Sequence, residues 1–185
     1  MNALALVHGA VRQHVKTGDV CIDATAGRGN DTALLCELVG RSGKVIAFDI
    51  QQEAVESTEK LLLQRGLNAE VHNVSHEFMG EYADEETVSC IVFNLGYLPG
   101  GNHGIFTHFE SSRLAIEAGL RLLKKGGLMC VTIYHGGATG YEERDSLLDW
   151  LRRLDSQLYQ VLVTTFHNWK KDPPIPVFII KNEDE

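Results

Sequence analysis

Residues 20–31, VCIDATAGRGND, decide the fold of this chain. Residues 20–22 form an apolar run of strand-forming side chains, and Gly27-Arg28-Gly29 follows after four small or polar residues. An amphipathic run then begins at Asn30. A strand, a tight glycine turn and a helix start, in this order, let backbone N–H groups face a bound ligand. The stretch therefore predicts a nucleotide-like cofactor site.

The composition is that of one ordinary globular domain, which we expect to span residues 1–185. Hydrophobic residues make up 44% of the chain and charged residues 23%. No apolar run approaches the roughly 20 residues that span a bilayer. The first residues lack the charged start and the cleavage pattern of a signal peptide. We therefore expect a cytoplasmic protein without a membrane partner.

Charge, cysteine and histidine content narrow the classes of function. A formal net charge of −8 does not suggest a protein that coats nucleic acid, although a local basic patch can still bind a polynucleotide. Because no C-x-x-C occurs, we interpret the four cysteines as small buried hydrophobes. They are Cys21, Cys36, Cys90 and Cys130. The eight histidines form neither H-E-x-x-H nor H-x-H, so no metal site is predicted.

Strand-like apolar runs alternate with amphipathic helical runs along the chain. Strands are predicted at residues 20–22, 44–48, 69–72, 88–93, 128–134, 160–166 and 177–181, and helices at 3–15, 32–39, 52–65, 77–82, 110–123 and 142–154. This alternation predicts an α/β fold with a doubly wound, mostly parallel seven-stranded sheet. The last two strands are joined by a loop, so they are expected to be antiparallel neighbours at one edge. Pro173, Pro174 and Pro176 suit the entry to an edge strand.

In such a sheet, ligands bind outside the carboxyl ends of the strands, where the strand order reverses. The glycine turn lies at that end, with Asn30 or Asp31 available to cap the helix after it. A dinucleotide-binding turn needs a third glycine where this chain has Thr32, which tells against NAD. A turn between strand and helix without any ligand is the alternative.

Two further loops fall at the same edge. Asp49 ends the second predicted strand, where a carboxylate can accept both ribose hydroxyls of an adenosine; Gln51 lies beside it. Asn94 and Tyr97 follow the fourth strand: the amide can bind an amine's hydrogens while the ring stacks on the substrate. Beside a sulfonium methyl donor, this arrangement would hold an amine in line for methyl transfer. A structural asparagine turn is the alternative.

Taken together, these residues resemble the class I (Rossmann-like) methyltransferases. DATAGRGNDT at 23–32 is similar to their glycine motif, AFD at 47–49 to their acidic ribose motif, and NLGY at 94–97 to the N/D-P-P-Y motif of amino-methylating members. More specifically, the whole chain resembles the YtqB/MnmM family, a small bacterial group of rRNA-methylase-like proteins. Leu95 and Gly96 stand where the motif has two prolines.

The resemblance implies a class I fold and an S-adenosylmethionine (SAM)-dependent enzyme. Its implied substrate is the tRNA anticodon loop, where it would methylate the aminomethyl group of wobble 5-aminomethyl-2-thiouridine. It implies a homodimer. The SAM-binding residues would be Ala26, Gly27, Gly29, Asn30, Asp31, Thr32, Asp49, Gln51 and His76. Asn94 and Tyr97 would be the catalytic residues at the methyl-acceptor site.

The sequence leaves other roles open. Candidate acceptors for the amine's proton are His103, His108 and His135. Candidate tRNA contacts are the basic residues Lys124, Lys125, Arg144, Arg152, Arg153, Lys170 and Lys171 and the aromatic residues Tyr97, Tyr141 and Trp169. The alternative functions are a methylase acting on rRNA or a small metabolite, a non-catalytic SAM-binding module, and an NAD-dependent reductase.

Overall fold

The computed structural model describes residues 2–96, 109–135, 140–169 and 172–183. Its strands are β1 (Val20–Asp23), β2 (Lys44–Phe48), β3 (Glu70–His72), β4 (Val88–Leu95), β5 (Leu123–Ile133), β6 (Tyr159–Val163) and β7 (Ile175–Lys181). Its helices are α1 (Ala3–His14), α2 (Asn30–Val39), α3 (Gln52–Arg65), α4 (Phe109–Leu122) and α5 (Gly140–Leu151), with a 3₁₀ helix at His76–Glu81. None of these helices is long and apolar enough to cross a membrane.

The strands form one sheet in the order β3-β2-β1-β4-β5-β7-β6. The first five are parallel, and β7 is antiparallel to both of its neighbours. This confirms the predicted doubly wound, mostly parallel seven-stranded sheet with an antiparallel pair at one edge. Chain order reverses between β1 and β4, so the carboxyl ends of these two strands flank the expected ligand crevice.

The expectation that the three prolines lead into an edge strand is wrong. They lead into β7, which lies between β5 and β6, and β6 is the edge. Pro176 is the second residue of β7 and pairs in register with Thr132. Its carbonyl still accepts a hydrogen bond from the Thr164 N–H at 2.9 Å. A proline this close to the start of a strand removes little from the ladder, so it does not require an edge position.

Two strand boundaries also differ from the prediction. β4 continues through Leu95, so Asn94 belongs to the strand and pairs with Thr132 of β5. β5 starts at Leu123, ahead of the start predicted at residue 128, with a register shift between Val88 and Cys90 of β4. Strand pairing therefore fixes the backbone of Asn94.

Helices cover both faces of the sheet. On one face α1, α2 and α3 pack through apolar side chains such as Val11, Leu35 and Leu62; on the other, α4, α5 and the 3₁₀ helix pack through side chains such as Ile116 and Leu151. All four cysteines are free and buried, as expected. Burial raises the pKa of Cys21, and that of Cys36 to about 11, so these thiols remain protonated.

The direction of α1 matters for the site. His14, at its carboxyl end, donates from Nε2 to the Ser89 carbonyl at 3.0 Å, near the start of β4. His8, near its amino end, reaches Asp31, which is bonded to Asn94 near the end of β4. The helix therefore runs antiparallel to β4 and brings its amino-terminal half to the carboxyl edge of the sheet.

Candidate functional site

The glycine turn adopts the left-handed backbone that its sequence predicts, with φ +55° at Gly27 and +80° at Gly29. Gly29 is the N-cap residue of α2, so no side chain at that position caps the helix. The expectation that Asn30 or Asp31 caps this helix is therefore wrong, because Asn30 lies inside α2 and is exposed, and the Asp31 side chain bonds elsewhere. A Cβ at Gly29 would lie 2.9 Å from the Thr58 Cα, so only glycine lets α3 approach the turn.

Asp49 joins the second loop to the glycine turn. Its Oδ2 accepts a hydrogen bond from the Gly27 N–H at 2.9 Å, and its Oδ1 accepts one from the Gln51 N–H at 2.9 Å. Asn73 donates from Nδ2 to the Asp49 carbonyl at 3.0 Å, which anchors the loop from behind. Each carboxylate oxygen has a second lone pair, so the half-buried Asp49 can still accept hydroxyl donors from a ligand.

Asp23 lies fully buried below the turn, at the end of β1. Its Oδ2 accepts the Thr32 hydroxyl at 2.6 Å and its Oδ1 accepts the Thr25 N–H at 3.1 Å. Burial, and then the charge of Asp31, raises the pKa of Asp23 to about 7. The side chain of Thr32 is also fully buried, so it holds the turn from below. Asp23 is not among the predicted site residues, although its place before the glycine motif was a signal.

Asp31 connects the turn to the expected acceptor residue. Its Oδ2 accepts a hydrogen bond from Asn94 Nδ2 at 2.7 Å, and its Oδ1 accepts one from His8 Nε2 at 2.6 Å. The backbone N–H of Asn94 donates to the Thr25 hydroxyl at 2.7 Å. Neither His8 nor Thr25 is among the site residues predicted from the sequence. The sequence places His8 beside the apolar face of α1 but does not reveal which end of the helix meets the site.

His76 borders the same crevice from the 3₁₀ helix. Its Nδ1 donates to the Ala24 carbonyl at 3.0 Å, and its ring centroid lies 5.7 Å from that of Phe93. Burial lowers the pKa of His76, which favours a neutral ring. With Nδ1 as the donor, Nε2 is left as a hydrogen-bond acceptor.

Gly96, in place of a motif proline, fits against Tyr134. Gly96 has φ +150°, and a Cβ there would lie 2.8 Å from the Tyr134 Cβ. The Tyr134 N–H donates to the Leu95 carbonyl at 2.8 Å. Tyr134 is 40% exposed, so it supplies an aromatic ring at the carboxyl edge of the sheet. It was missed, although an aromatic residue at the end of the fifth predicted strand was a signal.

Several predicted residues lie outside the described part of the chain. They are Tyr97, His103, His108, Lys170 and Lys171. Among the described candidates, Lys124 stands at the amino end of β5 and pairs with Asp19 at 3.0 Å, on the edge opposite the site. It therefore does not face the acceptor.

Arg144 and His135 lie on the acceptor side. Arg144 is 4.9 Å from the centroid of the Tyr141 ring and pairs with Asp145 at 2.8 Å. The His135 side chain is only 1% exposed, and its Nε2 lies 3.0 Å from Asp172 Oδ2. This cluster follows the carboxyl end of β5, where a substrate could enter.

The arrangement suits a cationic, adenosine-like ligand. Three carboxylates gather around one turn, since the charges of Asp31 and Asp49 both act on Asp23. Such a cluster favours positive charge nearby, and Asp49 and His76 offer acceptors for hydroxyl and amino hydrogens. Asn94 adds an amide beside them. The buried cysteines supply no nucleophile.

Comparison with protein families and curated proteins finds clear relatives. Residues 45–180 match a family described as "Putative rRNA methylase". The chain is 37% identical over 188 residues to the chloroplastic tRNA (mnm(5)s(2)U34)-methyltransferase of Arabidopsis thaliana, an alignment that covers 89% of this chain and 69% of the relative.

Solved structures agree over nearly the whole length. A "putative rRNA-methylase" from Clostridium thermocellum has a TM-score of 0.95 at 41% identity, with 98% of each chain covered. A Streptococcus mutans protein described as "SMU.1697c, a putative methyltransferase", solved in complex with SAH, has a TM-score of 0.88 at 31% identity, again with 98% of each chain covered.

Proposed function

The chain belongs to the rRNA methylase family matched by residues 45–180, and we propose that it is a SAM-dependent N-methyltransferase acting on tRNA. Its substrate would be the aminomethyl group of wobble 5-aminomethyl-2-thiouridine, which becomes methylaminomethyl. The observation that carries the proposal is the linked pair of contacts Gly27–Asp49 and Asp31–Asn94 at the switch point of the sheet. They join a ribose-binding carboxylate and an acceptor amide through one glycine turn.

SAM as cofactor is supported by the chemistry of the pocket and by the SAH complex of the Streptococcus mutans relative. Asp49 would bind the ribose hydroxyls, and the backbone from Ala26 to Gly29 would approach the ligand closely. Nε2 of His76 would accept a hydrogen bond from an amino group such as that of adenine. Asn30, which is exposed, and Gln51, which is half-buried, would contact the ligand from the rim of this crevice.

The tRNA substrate is supported by the 37% identical Arabidopsis relative, whose name specifies that nucleoside. The acceptor there is an alkylamine, which is mostly protonated at neutral pH. The Asn94 amide suits such a group, because a carbonyl oxygen can accept an amine N–H while leaving the nitrogen lone pair free. Tyr97 and the exposed ring of Tyr134 would flank the base.

Bound SAM would supply an electrophilic methyl group on a sulfonium centre. The residues of this chain would provide position: the acceptor ammonium would first release its proton to water, and Asn94 would then orient the neutral amine in line with the methyl carbon. The amine nitrogen would gain the bond to carbon and the sulfur would keep the electrons of the broken bond. The product would be a secondary ammonium, so the one proton lost overall is the proton that the acceptor releases before transfer. No covalent enzyme intermediate is required.

We propose a domain organisation, an oligomeric state and a location as well. Residues 1–185 would form one methyltransferase domain, working as a homodimer in the cytoplasm, where tRNA is available. Size-exclusion chromatography with light scattering tests the dimer, which would have twice the 20.5 kDa mass of the chain.

The test is nucleoside mass spectrometry after the purified protein has reacted with isotopically labelled SAM and, in parallel reactions, with tRNA and with rRNA from cells lacking the chain. We expect the aminomethyl nucleoside to disappear and the labelled methylaminomethyl nucleoside to accumulate. Label in rRNA alone would support the activity that the family name states. SAM binding without transfer to any RNA would support a non-catalytic module.

A further inference from the structure

We infer that His8 of α1 is a positioning residue for the methyl-acceptor site: it holds Asp31, and Asp31 orients the Asn94 amide. The inference rests on the proposed function. The structural basis is a chain of two short hydrogen bonds, from His8 Nε2 to Asp31 Oδ1 at 2.6 Å and from Asn94 Nδ2 to Asp31 Oδ2 at 2.7 Å.

The first step is that α1 is firmly placed. Val7 and Val11 are each 1% exposed and belong to the apolar cluster that also contains Val92 and Cys130. Asn94 lies two residues after Val92 in β4, so its side chain continues the face that α1 covers. His8, next to Val7, is thereby carried to the end of this face.

The second step is the polarity of the bonds. An ionised carboxylate only accepts hydrogen bonds, so His8 and Asn94 must both act as donors to Asp31. Asn94 therefore commits its Nδ2 to Asp31 and has Oδ1 left for a ligand. An amide turned by 180° would present hydrogens to an amine's hydrogens, which is repulsive. The carboxylate selects the orientation that can bind a neutral amine.

The hydrogen bond from His8 holds a carboxylate that is almost fully buried. Asp31 is only 8% exposed, and its charge acts on Asp23 and on Tyr134. Neither supplies a positive partner. His8 Nε2 donates to Asp31 Oδ1 at 2.6 Å, so it fixes one carboxylate oxygen while the other accepts the Asn94 amide.

The experiment compares His8→Leu, which removes the donor, with His8→Gln, whose amide nitrogen can reach the position of Nε2. His14→Leu is the matched control, since it removes a histidine bond from the other end of the same helix. We measure kcat on tRNA, the SAM dissociation constant by calorimetry, and the NMR signal of the Asn94 side-chain amide. The double variant His8→Leu/Asp31→Asn tests whether His8 acts through Asp31.

We expect His8→Leu to lower kcat about tenfold with little change in SAM affinity, and His8→Gln to recover most of it. The double variant should be no slower than Asp31→Asn alone. The Asn94 amide signal should shift in His8→Leu and stay in place in His14→Leu.

Wild-type kcat in His8→Leu, or equal losses in the leucine and glutamine variants, would overturn the inference. If the wild type transfers no methyl group to tRNA, the proposed function fails. The NMR signal of the Asn94 amide in His8→Leu then tests the positioning role of His8 independently of activity. An Asn94 signal unmoved in His8→Leu contradicts the positioning role.

Discussion

The carboxylate of Asp49 accepts a hydrogen bond from the backbone N–H of Gly27 at 2.9 Å. The end of β2 and the glycine turn are therefore held together by the same side chain that would bind the ribose. Preorganisation of this kind lowers the ordering cost of binding. It also means that Asp49 serves both the turn and the ligand.

Asp49→Ala should weaken SAM binding by about 1–3 kcal/mol, the scale of a lost charge-assisted hydrogen bond. Calorimetry measures the affinity, and thermal unfolding without SAM separates any loss of stability. Glu53→Ala is the control, because it removes an exposed carboxylate from the first turn of the neighbouring α3. Unchanged affinity in Asp49→Ala would exclude the ribose role.

Gly29→Ala should destabilise the fold more than Gly66→Ala. Both positions have positive φ, so both alanines bear left-handed strain of about 1–2 kcal/mol. At Gly29 the new Cβ would also lie 2.9 Å from the Thr58 Cα, whereas nothing lies within 4 Å at Gly66. Backbone crowding should add about 1–3 kcal/mol at Gly29, read from urea unfolding. Equal losses would show that α3 yields easily.

Sequence patterns were sufficient to predict the strands of the sheet and two of the loops at its carboxyl edge. Apolar runs located the strands, and the glycine turn with Asp49 located two loops that the structure joins by a hydrogen bond. The place of β7 between β5 and β6 was not predictable, because a loop connection specifies neighbours but not which strand lies outside. The full length of β4 depended on pairing with β5, which periodicity does not report.

The polar network was harder to predict. Asp31 was selected as a cofactor residue from its motif, but its bonds reach His8 on a helix whose direction the sequence leaves undetermined. Tyr134 lies against Gly96 because the ends of β4 and β5 are paired, with the Tyr134 N–H bonded to the Leu95 carbonyl. Contacts between distant segments carry no local signal, so these parts of the site required coordinates.

Asn94→Ala should lower turnover by on the order of 100-fold while leaving SAM affinity nearly intact, since the amide would act on the acceptor amine. Single-turnover kinetics with saturating SAM and tRNA measure the step. Comparable losses of SAM affinity and turnover would instead indicate that Asn94 supports the fold of the crevice.

Asn94→Asp should also impair the enzyme, although the amino-methylase motif accepts either residue. Here the new carboxylate would lie where the amide nitrogen is now 2.7 Å from Asp31 Oδ2. Two carboxylates so close share a proton, which raises one pKa. Activity relative to wild type should fall as the pH rises from 6 to 8, measured with the same assay. A pH-independent ratio would contradict the bridge.

Asp23→Asn should change how stability depends on pH. Burial and the charge of Asp31 raise the pKa of Asp23 to about 7 from its ordinary value of 3.8. Between these values the unfolded chain releases the proton and the folded chain keeps it, so wild-type stability falls with rising pH by about 1 kcal/mol per unit. The Asp23→Asn variant lacks this pH-dependent loss of stability. The free energy of unfolding of the variant, relative to that of wild type, should therefore rise with pH up to pH 7.

Urea unfolding from pH 5 to 8 provides the difference between the two proteins. Burial lowers the pKa of His76 and of His14, and their effect on acid stability cancels in that difference. Asp149→Asn is the control at the surface, where the side chain is 65% exposed. Parallel curves for Asp23→Asn and wild type would mean that the Asp23 pKa is not raised.

The most direct measurement is a crystal structure of this protein with SAH. We expect the ribose hydroxyls within hydrogen-bonding distance of Asp49, and the sulfur facing the free Oδ1 side of Asn94. A ligand whose ribose lies out of reach of Asp49, or whose sulfur is directed away from Asn94, would contradict the account.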